Sequence, residues 1–376
     1  MFGSMEHLTL QQYWWIILSL LAGLLVFMMF VQGGQTLLRT LAKNEEEKAL
    51  IINSLGRKWE LGFTTLVLFG GAFFAAFPLF YATSFGGAYF VWMAILYCFV
   101  LQAVSYEFRK KPDNLLGAKT YETFLLINGS LGVILIGTAV GTLFSGAAFS
   151  LNQFNLSQWQ TELRGLEAVA NFFNVALGVA IFFLGRMLGA MYFINNIDHD
   201  GLRERGRKSV LVNTVLFLPF FLVFAVWLLL RDGYAYDPVT GEVFMQSYKY
   251  LSNFLAMPVV LVMFLAGVLL VLYSVFVTVF KESLSGIWFG GPGAVLVVMS
   301  LFLNLGLNNT AFYPSYYDLQ SSLTIVNSSA SHYTLTVMSY VSLLVPVVLG
   351  YIIMSWRAMD RKKITSEEIN ANKEAY

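Results

Sequence analysis

Nine apolar runs, each about twenty residues or longer, leave this chain few ways to fold. They fall at roughly 13–37, 61–83, 88–106, 122–146, 167–195, 210–230, 254–279, 286–306 and 335–356. A helix needs about 20 mainly apolar residues to cross about 30 Å of hydrocarbon, so every run is long enough to span. In lipid no water satisfies backbone N–H and C=O groups, which restricts spanning segments to helices and closed barrels. Barrel strands alternate apolar with polar residues; these runs do not, so each is read as a helix. Composition agrees: 57% of residues are hydrophobic, 12% are charged and mean hydropathy is +0.67, whereas ordinary soluble domains carry about a quarter charged residues. The first run begins near Tyr13 with no Lys or Arg ahead of it. A secretory leader needs a basic start and a shorter apolar core, so a retained first helix is expected.

Basic residues orient the spans, because loops rich in Lys and Arg stay in the cytoplasm. The odd-numbered connections and the C-terminal tail hold 19 of the 23 Lys and Arg residues, whereas the N-terminus and the even connections hold only Arg164, Arg231 and Lys249. This pattern places the N-terminus outside and the C-terminus in the cytoplasm, and it requires an odd number of spans. Net charge is only +1, so no basic field exists to attract nucleic acid. The chain reads as one transmembrane domain, 1–376, ending in a short cytoplasmic tail, 357–376. The outward segments 147–166, 231–253 and 307–334 are expected to carry short surface helices, and the tail a short helix with a frayed end. Cys98, the one cysteine, sits in an apolar run and reads as a small buried residue.

Three histidines, His7, His199 and His332, all lie outside the apolar runs. A membrane haem of b type needs imidazoles at depth, so axial ligation by this chain is not expected, a Met thioether being the remaining donor. No zinc-spaced Cys/His set, Walker loop or G-x-S-x-G elbow is present. Carboxylates at the edge of a span are costly unless paired, hydrated or protonated. Glu60, after Trp59 at the start of the second span, and Glu107, closing the third, are therefore candidates for proton transfer, with helix termination at the interface as the alternative. Gln32 and Gln35, one turn apart on the first span, flank Gly33-Gly34. Arg186, about 15 Å before the end of the fifth span, should point into protein, toward a carboxylate or a partner's cofactor propionate, or snorkel to headgroups. Asn128, Asn171 and Asn174 read as interhelical contacts, and Gly137-xxx-Gly141 and Gly185-xxx-Gly189 as close-packing motifs. Trp14, Trp15, Tyr106 and Trp356 read as interfacial anchors.

Several stretches resemble, in order, subunit II of the cytochrome bd-type quinol oxidases. These are Leu10-Gln-Gln-Tyr-Trp-Trp15, Ile51-Ile-Asn-Ser-Leu-Gly-Arg-Lys-Trp-Glu60, Gly70-Gly-Ala-Phe-Phe-Ala-Ala-Phe-Pro-Leu-Phe-Tyr-Ala82 and Tyr106-Glu-Phe-Arg109. Near the end, Phe312-Tyr-Pro-Ser315, Ser322-Leu-Thr324, Asn327-Ser-Ser329 and Leu335-Thr-Val-Met338 continue the series. The likeness is strong at both ends and weak in the middle.

The resemblance implies an all-α membrane protein of nine helices, as two four-helix bundles plus one peripheral helix, in a bacterial or archaeal plasma membrane. It implies a larger partner, subunit I, that carries haems b and d and the quinol site, with a small single-helix subunit as a further partner. The implied reaction is quinol oxidation coupled to reduction of dioxygen to water, with protons drawn from the cytoplasm and no pumping. No metal or cofactor is expected on this chain alone, with Arg186 the one candidate charge partner. The chain also departs from the family. Gln32-Gly-Gly-Gln35 replaces an Asp-Gly-Phe-Asp motif, and Thr65 stands where relatives carry the second Trp of Trp-Asp-Gly-Asn-Gln-x-Trp. An amide cannot exchange protons as a carboxylate does, which directs attention to Trp59, Glu60 and, secondarily, Glu107. A purely structural scaffold and a secondary transporter, with Arg186 and the mid-span Asn residues binding solute, are the competing readings. Paired broken helices at matching positions, typical of transporters, are not evident.

Overall fold

The computed structural model describes residues 2–111 and 114–371. Among them, nine helices are long and apolar enough to cross a membrane: α1 (His7–Thr36), α2 (Glu45–Ala76), α3 (Tyr89–Phe108), α4 (Ala118–Ser145), α5 (Phe172–Asn196), α6 (Asp200–Leu230), α7 (Pro258–Val279), α8 (Ile287–Gly306) and α9 (His332–Met359). All nine expected runs are found. Where boundaries differ, local chemistry explains the shift. Asn44 caps α2 by accepting the Glu47 N–H, which starts that helix well before its apolar run. Pro78 follows its end. Asn171 caps α5 rather than lying inside it, accepting the Phe173 N–H at 3.0 Å. Pro258 opens α7 at the first helical turn, where its missing N–H costs nothing.

The helices define two ends of the molecule. One carries the basic connections and the tail; the other carries two antiparallel hairpins, β1 (Phe149–Leu151) with β2 (Ser157–Trp159), and β3 (Gly233–Tyr236) with β4 (Val243–Gln246). The three outward segments carry the expected short helices, at Leu166–Ala170, Lys249–Ala256 and Leu319–Ser321, and the first two also form the hairpins. In the second hairpin the Asp237 carboxylate accepts the N–H groups of Val239 and Thr240, and Gly241 takes the left-handed backbone that closes the turn.

The α5 helix is the most enclosed and α9 the least. Close approach of α1 and α5 depends on glycine: a Cβ on Gly33 would strike the Gly185 backbone, and one on Gly189 would strike Gly34. Gly137 and Gly141 meet Gly178 and Asn174 on α5 in the same way, so both small-residue motifs serve packing, as expected. The expected aromatic anchors do not sit at an interface. Trp15 is fully buried, donates to the Phe302 carbonyl at 2.8 Å and packs on Phe77 and Phe312. Trp14 is buried and donates to Ser339 at 3.0 Å, Tyr106 is buried, and Trp356 lies against Phe27 and Phe30. Trp14, Trp15 and the Tyr106 hydroxyl find polar partners inside the protein, whereas the Trp356 indole N–H has none among the described residues.

The basic end holds ion pairs that tie distant segments together. The fully buried Lys58 pairs with Asp360 at 2.8 Å, and Tyr192 also reaches Asp360. Beyond Asp360 the tail crosses the end of α5, where Ile364 exchanges backbone hydrogen bonds with Asn196 and Asp198, and a short helix follows at Ser366–Ala371. The expected frayed end, 372–376, lies outside the described residues.

Candidate functional site

At the basic end of α1–α4 the sequence places an unusual set of polar side chains at membrane depth. Gln32 on α1 donates to Gln102 on α3 at 3.2 Å, and Gln35 donates to the Tyr106 hydroxyl at 3.2 Å. The Trp59 ring of α2 stacks on Tyr106, centroids 5.7 Å apart and nearly parallel. Asn128 lies in a bulged turn of α4, Asn128–Gly132, next to Gly129, whose missing Cβ lets α4 meet the Gln32 carbonyl. Gln32 Oε1, Gln35 Oε1, Gln102 Nε2, both polar atoms of Asn128 and Trp59 Nε1 are all buried with no hydrogen-bond partner among the described residues. Asn128 therefore departs from its expected interhelical bond. Asn174 does make one, accepting from Ser145 at 2.8 Å.

Glu60 and Glu107 each adjoin one ring of the Trp59–Tyr106 stack in the chain, and both are exposed. Glu107 pairs with Lys111 at 3.3 Å. The adjacent Arg109 turns away from it into a buried pair with Glu122 on α4, at 2.8 Å, which Lys48 also approaches at 3.5 Å. Glu47 is likewise buried, between Arg205 at 2.7 Å and His199. Sequence reading missed Glu122 and Glu47. Their signal was present, since an acid in the first turns of a helix beside a basic connection is a natural ion-pair partner, but which of Glu45, Glu46 and Glu47 is buried, and which cation each acid meets, depends on which helices are neighbours. Thr65, in place of the family's Trp, spends its hydroxyl on the Leu61 carbonyl of its own helix.

Arg186 finds no carboxylate among the described residues. It donates to Asn213 at 2.8 Å and to the Thr36 hydroxyl at 2.7 Å. Those neutral partners, and the Ser145 partner of Asn174, leave little support for a solute site built on Arg186 and the mid-span Asn residues. The histidines stay at helix ends. His7 and His332 sit at the first residues of α1 and α9 and bond across to the carbonyls of Ala330 and Met5, and His199 caps α6 through Nδ1. Among the described residues no group of three or more His, Cys, Asp or Glu is arranged to hold a metal ion. Cys98 is free and buried, against Gly132.

Two cavities lie farther from the basic end. One, about 220 Å³, has wholly apolar walls that include Leu25, Phe69, Ile181, Phe221 and Leu301. The other, about 400 Å³, opens under the hairpins beside Ser84, Glu167, Asn171 and Tyr313. Burial pushes the Tyr313 phenol well above its usual range, so it acts there as a neutral hydrogen-bonding group.

Fold and polar layer together define a multi-pass helical membrane protein whose chemistry-bearing groups are amides, aromatics and glutamates at one end. The family model for cytochrome bd terminal oxidase subunit II matches residues 10–359. Curated relatives include subunit 2 of the cytochrome bd-I ubiquinol oxidase of Escherichia coli K12, 27% identical over 98% of both chains. Subunit 2 of the cytochrome bd ubiquinol oxidase of Bacillus subtilis is 28% identical, over 96% of this chain and 98% of the relative. Among solved structures, bd oxidase from Geobacillus thermodenitrificans matches with a TM-score of 0.53 at 13% identity, covering 94% of this chain and 97% of that one, a likeness of fold. The chain belongs to the cytochrome bd terminal oxidase subunit II family. It is accordingly one part of an oxidoreductase complex.

Proposed function

We propose that this chain packs beside a haem-bearing subunit I in a plasma membrane, N-terminus outside and basic end in the cytoplasm, and supplies part of the path by which protons reach dioxygen. In this reading the nine helices form two four-helix bundles with α9 peripheral, haems b and d reside on subunit I, and a small single-helix subunit completes the assembly. Quinol gives up electrons and protons, dioxygen receives the electrons, and each electron delivered is matched by a proton taken from the cytoplasm.

The observation that carries the proton role is the Trp59–Tyr106 stack with its two flanking glutamates exposed on the α2–α3 surface. An exposed carboxylate at the basic end can collect a proton from water, and the amide layer behind it keeps hydrogen-bonding capacity that the protein does not use. Glu60 is the first candidate because no basic residue pairs with it among the described residues, whereas Glu107 is held by Lys111. Replacing Glu60 with Gln in the assembled complex is expected to slow oxygen-dependent quinol turnover several-fold with haem content intact. Unchanged turnover would remove Glu60 from the path. A scaffold-only reading draws on the same exposure, since an unpaired surface glutamate needs no role; loss of assembly without selective loss of turnover, across Glu60 and Glu107 variants, would favour it.

A further inference from the structure

Arg186 is a guanidinium at membrane depth whose protein partners are all neutral. One nitrogen, Nε, donates to Asn213, and Nη1 donates to Thr36. Nη2 has no hydrogen-bond partner among the described residues, and the side chain is only partly buried. A cation that reaches the surface of a membrane protein in this way requires an anion from outside the chain.

Its depth says which anion can reach it. Measured along α5, Arg186 is ten residues from Asn196, but α6 continues beyond that helix end. Asn213, its partner, is only five residues past Lys208, the last charge before the apolar run of α6, or about 7.5 Å at helical rise. Counted along α6, the guanidinium thus lies within reach of the charged residues that precede the apolar run. A second cation without an ion pair among the described residues lies nearby. Arg39 is three residues beyond Thr36, about one helical turn, and donates to Thr123 on α4. Hydrogen bonds thus run from Asn213 on α6 through Arg186 to Thr36 at the end of α1, and from Arg39, one turn on, to Thr123 on α4. Toward the membrane centre from Arg186 and Asn213, the apolar side chains Phe182, Phe183 and Leu216 remain partly or largely open.

We propose that Arg186 and Arg39 bind the phosphodiester of an anionic phospholipid, its acyl chains lying along α5 and α6. Arginine suits the task because its planar fork pairs with two phosphate oxygens at once and stays charged at any depth. The inference stands independently of the proton path, since neither Glu60 nor the amide layer takes part.

The test uses the purified, assembled complex, stripped of lipid with detergent and titrated with phosphatidylglycerol, phosphatidylcholine or inorganic phosphate while bound lipid is counted by native mass spectrometry. Phosphatidylglycerol should bind in preference to phosphatidylcholine, and millimolar phosphate should not displace it. Arg186→Gln and Arg39→Gln should each weaken that binding about tenfold or more, and Arg186→Lys should restore part of it. Should Arg186→Gln fail to assemble, Arg39→Gln and Arg186→Lys, which leave the buried bonds or the charge in place, decide the matter. Equal phosphatidylglycerol binding by wild type and Arg39→Gln would overturn the proposal, as would displacement by phosphate alone. No preference over phosphatidylcholine in the wild type would also overturn it and point to a carboxylate of the partner subunit as the counter-ion.

Discussion

The two ends of this molecule treat buried polar groups differently, although Asn304 Oδ1 and Thr83 Oγ1 at the hairpin end also lack a partner among the described residues. Under the hairpins, Asn253 donates to the Asn304 carbonyl and to Thr310 and accepts from Asn308, all at 2.8–2.9 Å. Lys249 donates to the Asn308 carbonyl, Trp159 to the Thr83 carbonyl and Ser315 to the Phe149 carbonyl. Most partners there are backbone groups, which bend irregular connections over the helix ends and seal them. In the layer of Gln32, Gln35, Gln102, Asn128 and Trp59, six buried polar atoms have no partner among the described residues. A buried amide left unpaired costs about 1–3 kcal/mol, so packing alone does not account for that layer. The hairpin end is organised for closure, and the basic end retains amide groups whose hydrogen-bonding capacity no described residue uses.

The comparison breaks most visibly at Asn253. Asn253→Leu removes three hydrogen bonds and strands the Asn304 carbonyl and the Asn308 side-chain amide, with an expected loss of about 2–4 kcal/mol, read as a lower unfolding temperature and yield of the complex; turnover per assembled complex should hold. The amide layer should behave in reverse. In the double variant Gln32→Leu, Gln102→Leu both partners of one bond become apolar together, so stability should change by less than about 1 kcal/mol. Turnover should fall, measured as oxygen uptake per haem; unaffected turnover would return the layer to a packing role. The smallest effect concerns Lys249, whose ammonium is held below the usual lysine range by burial. The folded state then gives up its proton before the unfolded chain does, so stability should rise with pH from the lowered folded value up to the ordinary lysine value near about 10.4. Lys249→Met should flatten that alkaline rise in a pH series of thermal unfolding; an unchanged slope would assign it to other groups.

Much of the site was visible before any fold was known, though unevenly. Trp59, Glu60, Gln32 and Gln35 could be singled out because polar residues inside or beside apolar runs are rare and costly. Their pairing could not, because Gln102 and Tyr106 look like ordinary members of the third run until α3 is packed against α1 and α2. Trp15 illustrates the opposite error: its place near a helix end suggested an interfacial anchor, and the Phe302 carbonyl of α8 drew it inside. Arg186 looked in need of a carboxylate, and the packing of α1 and α6 against α5 gave it Thr36 and Asn213 instead.

What the sequence by itself determined is the number of spans, their helical nature and the asymmetry of charge between the two faces. Each follows from a local requirement, since a backbone in lipid must satisfy its own hydrogen bonds within a few residues. Tertiary structure alone decided who meets whom: Arg109 with Glu122, Lys58 with Asp360, Gln35 with Tyr106 and Arg186 with Asn213. Side-chain partners are set by which helix faces come together and by how far the helices are displaced along their axes. Those quantities emerge from close packing at residues such as Gly33 and Gly189 and are not written in any single run.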